Sequence, residues 1–154
     1  MKAVVQRVID ASVTAGGVIT GKIDSGLLIY LGVALNDSES DADWIADKIT
    51  FLRIFNDNDG KMNLSIKDLT ASEGKTGVLA VSQFTLLGDA RKGRRPSWNG
   101  AAAPEKAKRL YRYFMESVRK HGLVCEEGEF QAHMKVTYTN DGPVTIILDT
   151  GILK

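Results

Sequence analysis

The hydrophobic pattern at the start of the chain predicts a run of β-strands. Residues 3–14 are rich in Val and Ile, and the glycine pair at residues 16–17 predicts a hairpin turn into residues 18–23. The polar segment DSG at residues 24–26 predicts a second turn, followed by an apolar strand at residues 27–33. Short turns between consecutive strands are typical of an antiparallel meander, so we expect three neighbouring antiparallel strands here.

Two segments have the spacing of amphipathic helices. The first is predicted to begin at Ser40, which can cap the helix with Asp43 as its reciprocal partner, and to end near Arg53. The second is predicted to begin at Pro104, a residue suited to the first helical position, and to end at Gly122. The apolar residues that share one face are Trp44, Ile45, Ile49 and Leu52 in the first helix, and Ala107, Leu110, Tyr111, Phe114 and Val118 in the second.

The remaining apolar segments are short and predict further strands. They lie at residues 53–55, 78–81, 123–125, 134–140 and 144–148. A polar segment at residues 56–60 predicts a turn. The sequence has no internal repeat, low-complexity segment or linker, so we expect one domain spanning residues 1–154.

Composition narrows the class of protein. The chain has 154 residues, of which 44% are hydrophobic and 25% charged, with a net charge of +1, so contact with nucleic acid would require a local cluster of positive charge. Cys125 is the only cysteine, which excludes an intrachain disulfide and fits a reducing compartment. No apolar run reaches the ~20 residues that cross a membrane. The first residues read as a strand rather than a signal peptide, so we expect a cytoplasmic protein without membrane contact.

Recognisable catalytic and metal-binding patterns are missing from the sequence. Neither His121 nor His133 has a partner at a catalytic or metal-binding spacing, and both are predicted to be structural. Residues 56–60 resemble the start of a calcium loop, but its first and twelfth ligands would be Phe55 and Ile66, whose side chains cannot bind a hard cation. We therefore expect no metal and no cofactor.

Polar side chains follow directly after the apolar strand at residues 78–81. Ser82, Gln83 and Thr85 stand at this strand end. A buried strand fixes the position of the residues at its end, which favours a functional site. Polar residues at a strand end are also ordinary punctuation, and both interpretations are open at this point.

Positive charge clusters shortly after that strand end. The cluster comprises Arg91, Lys92, Arg94 and Arg95 and lies close to Trp98. A run of charge is most often a solvated loop. Its position beside the polar strand end also favours binding of phosphate groups, so two interpretations again stay open.

Two sequence blocks resemble the signature motifs of the D-aminoacyl-tRNA deacylases. They are SQFTL at residues 82–86 and NDGPVTI at residues 140–146. The resemblance covers nearly the whole chain and includes AVVQRV at residues 3–8, DGKMN at residues 59–63 and RKGRRP at residues 91–96. One departure is Gln131, at a position where the family more often has glycine or alanine.

The resemblance implies an α/β fold of layered antiparallel and mixed β-sheets, which form a barrel-like core with two main helices packed on one side. It also implies a homodimer with active sites at the subunit interface, and aminoacyl-tRNA as the partner. The implied reaction is hydrolysis of the ester that joins a D-amino acid to tRNA.

The resemblance also implies roles for individual residues. The catalytic group comprises Ser82, Gln83, Phe84 and Thr85, and the pocket is supported by Arg7, Met134 and Asn140. A cis dipeptide, Gly142 and Pro143, enters the active site of the other subunit as a chiral filter. The 2′-hydroxyl of the terminal adenosine assists attack by water, and backbone N–H groups near Phe84 and Thr85 stabilise the oxyanion.

A rigid backbone filter suits an enzyme that accepts many D side chains. Attractive pockets discriminate by about 1–3 kcal/mol per methylene, whereas a selectivity of about 10⁴-fold needs roughly 5.5 kcal/mol. A fixed carbonyl that collides with an L side chain supplies this selectivity by exclusion. Glycine has no side chain to exclude, so we expect glycyl-tRNA to be rejected only weakly.

Two other functions remain open from the sequence. Thr85 could be the nucleophile of an esterase, although no base that would activate it is apparent. The basic cluster could instead belong to a tRNA-binding module without catalytic activity. Release of a D-amino acid from charged tRNA separates this last function from the two enzymatic ones.

Overall fold

The computed structural model describes residues 1–69 and 75–153. The strands of this part are β1 (Lys2–Ala15), β2 (Val18–Gly32), β3 (Phe55–Asn56), β4 (Met62–Leu64), β5 (Thr76–Ser82), β6 (Val124–Glu127) and β7 (Met134–Asp149). Its helices are α1 (Glu39–Phe51) and α2 (Pro104–Lys120), with short 3₁₀ helices at Ile66–Leu69, Phe84–Leu87 and Thr150–Leu153. Five of the described strands form one sheet in the order β6-β5-β2-β1-β7, and β3 pairs with β4.

The sheet is mixed. β1 pairs antiparallel with β2 and with β7, whereas β5 pairs parallel with β2 and with β6. The hairpin between β1 and β2 turns at residues 16–17, as the sequence predicted, and both of these glycines have positive φ. The α/β fold with antiparallel and mixed pairing and two main helices is confirmed. The sheet is not closed into a barrel, because no pairing joins its edge strands β6 and β7 in the described chain.

The predicted turn at residues 24–26 is wrong, and so is the three-stranded meander that depended on it. β2 continues through this segment because β5 supplies its ladder partners: Ser25 pairs with Thr76 and Gly26 with Gly77. Gly26 has φ +128, and a β-carbon there would lie 2.0 Å from the Gly77 carbonyl oxygen. The glycine therefore permits a close approach of two strands rather than a turn.

The helix predictions differ in accuracy. α2 begins at Pro104 as predicted and ends at Lys120, and Gly122 follows it with φ +78. α1 is capped by Ser38 rather than Ser40, because the Asp41 carboxylate accepts hydrogen bonds from the backbone N–H and hydroxyl of Ser38, each at 2.9 Å. None of the described helices is long and apolar enough to cross a membrane.

Both faces of the sheet carry apolar side chains, but they are covered differently. The helical face packs against α1 and α2, and its fully buried residues include Leu27, Ile29, Ile45, Ile49, Leu110 and Phe114. The opposite face has its own buried cluster, with Val8, Ile23, Leu28 and Leu79, and half-buried side chains at its border, namely Tyr30, Met134, Val136 and Tyr138. No helix of the described chain contributes to this second cluster.

Candidate functional site

A cavity of about 550 Å³ opens at the C-terminal end of β5. Ser82 ends this strand, and Gln83 and Phe84 continue the cavity wall. The backbone N–H of Gln83 donates to the Leu31 carbonyl of β2 at 2.8 Å, which holds the chain for one residue beyond the strand. β5 lies between parallel neighbours, so the polar residues at its end have fixed positions.

Tyr111 of α2 and Phe130, which precedes β7, form an aromatic part of the cavity wall that sequence reasoning did not assign to the site. Their ring centroids are 5.9 Å apart, and the Tyr111 hydroxyl donates to the Ala80 carbonyl at 2.8 Å. Burial raises the pKa of Tyr111 well above its usual range, so this hydroxyl stays protonated. Smaller side chains complete the wall, among them Ala101, Ala102, Ala107, Met134 and Val136. The helical spacing of Tyr111 predicted its burial, but only the tertiary fold reveals the cavity beside it.

Gln131 and His133 lie on the exposed rim of the same cavity. Gln131 has φ +66, in the left-handed region that favours glycine. This conformation gives a physical reason for glycine, one of the two small residues expected from the resemblance, but not for alanine, which has a β-carbon. His133 has no catalytic spacing in the sequence, and the fold alone brings it to the rim.

The segment after Gln83 folds into a 3₁₀ helix, Phe84–Leu87. The backbone N–H groups of Phe84 and Thr85 open this helix and have no acceptor within residues 1–69 and 75–153. The Thr85 hydroxyl accepts a hydrogen bond from the Gln83 amide, and Thr85 does not line the cavity. The structure thus brings Ser82, Gln83 and Phe84 together with Met134, and places Thr85 beside them.

A second group of predicted site residues lies on β1 and β7. The pairing of these strands passes from Gln6–Thr145 to Val8–Asn140, so residues 141–144 bulge out of the ladder opposite Arg7. The peptide bond of Gly142-Pro143 is cis, and Gly142 has φ +119. The sequence predicted two strands, at residues 134–140 and 144–148, whereas the structure has one strand with a bulge.

Arg7 holds this bulge in place. Its side chain is 10% exposed, and its Nε atom lies 2.9 Å from the Asp141 carboxylate and donates to the Asp141 carbonyl at 3.3 Å. Its Nη1 atom donates to the buried Ile54 carbonyl at 2.7 Å, just before β3. Asn140 spans the bulge by donating to the Val144 carbonyl at 3.4 Å. Arg7 and Asn140 therefore support the dipeptide rather than the cavity.

The dipeptide and the cavity are far apart within one chain. Ser82 pairs with Leu31 and Leu31 with Ala3, whereas Arg7 lies four residues further along β1. Since β7 is three strands from β5, the separation is about 13 Å along the strands and about 14 Å across the sheet. Neither residue of the dipeptide lines the cavity. A small ligand in the cavity is out of reach of the dipeptide in the same chain.

The predicted basic cluster forms an exposed loop. Backbone hydrogen bonds of 2.8 and 2.9 Å between Asp89 and Ser97 close it. Arg91 forms an ion pair with Asp89 at 2.7 Å, and hydrogen bonds from Arg91 lower the pKa of Asp89 to about 2. The remaining cations, Lys92, Arg94 and Arg95, have no ion-pair partner in the described part of the chain.

The described residues contain no group of three His, Cys, Asp or Glu side chains that could hold a metal ion. Cys125 is buried, and burial raises the pKa of its thiol to about 12. The polar chemistry of the cavity therefore consists of hydroxyl, amide and imidazole side chains and backbone N–H groups.

The chain is similar to known proteins over nearly its whole length. The family model described as D-Tyr-tRNA(Tyr) deacylase matches residues 4–149. A D-aminoacyl-tRNA deacylase of Thermosipho melanesiensis is 57% identical over 151 residues, covering 97% of each chain. A D-aminoacyl-tRNA deacylase of Thermotoga petrophila is 53% identical over 153 residues, covering 99% of each chain.

Solved structures have the same architecture. A protein named c-Myc DNA Unwinding Element Binding Protein superimposes with a TM-score of 0.86 at 40% identity, covering 97% of this chain and 98% of that one. A probable eukaryotic D-amino acid tRNA deacylase gives a TM-score of 0.79 at 15% identity, covering 96% of this chain and 97% of that one. The second similarity concerns the fold alone.

Proposed function

The chain belongs to the D-Tyr-tRNA(Tyr) deacylase family, and from this premise we propose how its geometry selects and cleaves the substrate. The chain is a hydrolase that cleaves the ester between a D-amino acid and tRNA, as its full-length relatives are D-aminoacyl-tRNA deacylases. The proposals beyond this activity concern where the ester binds, what activates water, what excludes L-amino acids, whether glycyl-tRNA is a substrate, and where and as what oligomer the chain acts.

The cavity at the end of β5 is proposed to hold the terminal adenosine and the aminoacyl ester. Its volume of about 550 Å³ falls in the range of ligand pockets, about 300–1,000 Å³. The partly exposed ring of Phe130, which packs against the buried ring of Tyr111, offers aromatic surface to the adenine. The N–H groups of Phe84 and Thr85, which have no acceptor among the described residues, are proposed to donate to the ester oxygen as negative charge develops on it.

The substrate itself is proposed to assist the attack. Water adds to the ester carbonyl, the bond to the 3′-oxygen of the adenosine breaks, and the proton lost by the water passes to that 3′-oxygen, which gives the free amino acid and free tRNA. The Tyr111 hydroxyl is held protonated and donates to a backbone carbonyl, so it offers no base. We assign assistance to the 2′-hydroxyl of the adenosine, and positioning and oxyanion stabilisation to the protein.

The separation of cavity and dipeptide within one chain is the observation that carries the proposal of a homodimer. If Gly142 and Pro143 contact the substrate, they must come from a second copy of the chain. The structure offers surface for such contact on β7, an edge strand with Ile147 73% exposed. The half-buried apolar border of the second sheet face, with Tyr138 and Val136, is a further candidate for burial between subunits.

Exclusion of L-amino acids is proposed to come from the backbone of the partner's dipeptide. Gly142 lacks a β-carbon, so its backbone can approach the substrate closely, and the bonds of Arg7 to Asp141 hold the bulge rigid. A fixed carbonyl there collides with an L side chain and leaves a D side chain free. Glycyl-tRNA escapes this collision and is proposed as a second substrate. The cytoplasm, where aminoacyl-tRNA is used, is the proposed location.

Hydrolysis of D-tyrosyl-tRNA ending in 2′-deoxyadenosine tests the role of the 2′-hydroxyl. The amino acid is attached to the 3′-oxygen in both substrates, and we expect the deoxy substrate to bind normally and to be cleaved far more slowly. Two variants test side-chain alternatives: Thr85→Ala removes the potential nucleophile, and His133→Asn removes the imidazole on the cavity rim. Both should keep substantial activity, and a loss of about 10⁴-fold in either would assign the chemistry to that side chain.

A further inference from the structure

An exposed aromatic pair lies beside the cavity. Phe84 is 58% exposed and Trp98 is 40% exposed, with ring centroids 5.4 Å apart and planes at 70°. The Trp98 ring rests on the backbone of Gly88, where a β-carbon would lie 2.5 Å from the ring. Phe84 lines the cavity and Trp98 does not, so Trp98 extends the aromatic surface outward from the cavity mouth.

The basic loop is built onto the same aromatic pair. Trp98 directly follows Ser97, whose two backbone hydrogen bonds to Asp89 close the loop. Because Arg91 is neutralised by Asp89, the positive charge available to a ligand comes from the three exposed cations Lys92, Arg94 and Arg95. An exposed aromatic ring with adjacent unpaired cations is the combination that binds single-stranded nucleic acid, because bases stack on rings and phosphates pair with cations.

We propose that Trp98 stacks on an unpaired base of the tRNA 3′ end, next to the adenosine in the cavity, while the basic loop binds the adjoining phosphates. This inference rests on the proposed function, since the cavity must hold the terminal adenosine for Trp98 to meet its neighbour. The positive charge of the loop is complementary to phosphate groups, so the ligand of the aromatic pair and the loop is a nucleic-acid strand rather than an apolar protein surface. Trp98 is thus a substrate-positioning residue outside the chemical step.

Two substrates and three variants test this role. The substrates are D-tyrosyl-tRNA and 3′-O-D-tyrosyl-adenosine, which lacks every nucleotide beyond the adenosine. The variants of Trp98 are Trp98→Ala, Trp98→Leu and Trp98→Phe, of which only the last retains a ring that can stack. Phe51→Ala is the matched control. Phe51 is the last residue of α1, is similarly exposed at 52%, and packs against His121, which follows α2.

If a base stacks on Trp98, replacement of Trp98 should weaken binding of D-tyrosyl-tRNA and leave binding of the tyrosyl-adenosine unchanged. Trp98→Ala and Trp98→Leu should raise KM for D-tyrosyl-tRNA roughly 5- to 100-fold, with Trp98→Phe close to the wild type and Phe51→Ala unaffected. The same variants should hydrolyse the tyrosyl-adenosine like the wild type. Replacing the penultimate base of the tRNA by an abasic site should weaken the wild type similarly and add little to the defect of Trp98→Ala.

Three results would overturn the inference. One is an unchanged KM for D-tyrosyl-tRNA in Trp98→Ala, and another is an equal loss on both substrates. The third is a molecular mass in solution that differs between the Trp98→Ala variant and the wild type, which would place Trp98 between two copies of the chain. Wild-type enzyme that hydrolyses D-tyrosyl-tRNA but does not bind the tyrosyl-adenosine would instead contradict the proposed occupant of the cavity, a failure distinct from that of Trp98.

Discussion

The side chain of Arg7 offers the sharpest test of how the fold holds the dipeptide. Arg7 reaches two segments that are far apart in sequence, the bulge at Asp141 and the carbonyl of Ile54. Replacing it with methionine keeps a long apolar stem and removes every donor of the guanidinium. We expect Arg7→Met to lower both the free energy of unfolding and the selectivity for D over L substrates.

The size of the stability loss follows from the contacts. The buried Ile54 carbonyl loses a charged donor at 2.7 Å, and a buried acceptor left without a partner costs about 1–3 kcal/mol. The Asp141 carboxylate is 48% exposed and regains water, so its ion pair adds only about 0–1 kcal/mol. We therefore expect a total loss of about 1–4 kcal/mol. Arg7→Lys should lose less, because one ammonium can satisfy either partner but does not bridge both.

Denaturant unfolding measures the first effect, and competing hydrolysis of D- and L-tyrosyl-tRNA measures the second. Lys2→Met is the matched control, since Lys2 lies on the same strand and pairs with Asp149 at 3.6 Å while 41% exposed. This control should lose no more than about 1 kcal/mol and keep its selectivity. The selectivity of Arg7→Met should fall by about 10-fold or more, as a misplacement of about 1 Å can cost 10²-fold.

If Arg7→Met unfolds at the same denaturant concentration as Lys2→Met, Arg7 does not hold the two segments together. A second contradictory result would be an Arg7→Met variant that loses stability and keeps full discrimination against L-tyrosyl-tRNA. That second result would make Arg7 a purely structural residue, with no influence on the filter.

Further predictions concern the thiol, the basic loop and the substrate range. Burial raises the pKa of Cys125 to about 12, so only about 10⁻⁴ of the thiol is ionised at pH 8. Iodoacetamide should therefore label the native protein far more slowly than the denatured one, and rapid labelling of the native protein would contradict the burial of Cys125. Arg94→Gln should lower the slope of log binding constant against log salt concentration for tRNA by up to about 0.9, whereas Arg91→Gln should lower it less, because Asp89 already neutralises Arg91. Equal slopes in both variants and the wild type would show that the loop is a solvated surface without phosphate contacts. Glycyl-tRNA should be hydrolysed at a rate nearer to that of D-tyrosyl-tRNA than to that of L-tyrosyl-tRNA, and rejection equal to that of the L substrate would argue against exclusion by collision.

Sequence reasoning succeeded where the determining signals are local. Pro104 and Gly122 mark the ends of α2, and the apolar residues between them have helical spacing, so the prediction needed no distant contact. The cap of α1 was misplaced by two residues, because both Ser38 and Ser40 fit the pattern and the Asp41 carboxylate selects Ser38.

Sequence reasoning failed where a distant strand decides the structure. Residues 24–26 have the composition of a turn, and β5, about fifty residues later, keeps them extended by pairing with Ser25 and Gly26. The same holds for the site. The motif at Ser82 was visible in the sequence, whereas Tyr111 and Phe130 join it only through the packing of α2 and of the segment before β7.

Discrimination between D- and L-tyrosyl-tRNA by a defined heterodimer tests whether the dipeptide of one chain completes the cavity of another. One chain carries Gly142→Ala, which places a β-carbon at φ +119, 2.8 Å from the Val144 side chain and 3.0 Å from Arg7 Nη2, and so disturbs the filter. The other carries Ala101→Trp, which fills the cavity. Different affinity tags on the two chains allow purification of the mixed dimer.

We expect the Gly142→Ala homodimer to hydrolyse both D- and L-tyrosyl-tRNA, and the Ala101→Trp homodimer to hydrolyse neither. In the mixed dimer, the open cavity of the Gly142→Ala chain receives the intact dipeptide of its partner. The mixed dimer should therefore cleave D-tyrosyl-tRNA at about half the wild-type rate per dimer and reject L-tyrosyl-tRNA like the wild type. Cleavage of L-tyrosyl-tRNA as fast, per open cavity, as by the Gly142→Ala homodimer would instead place the filter in the same chain as the cavity.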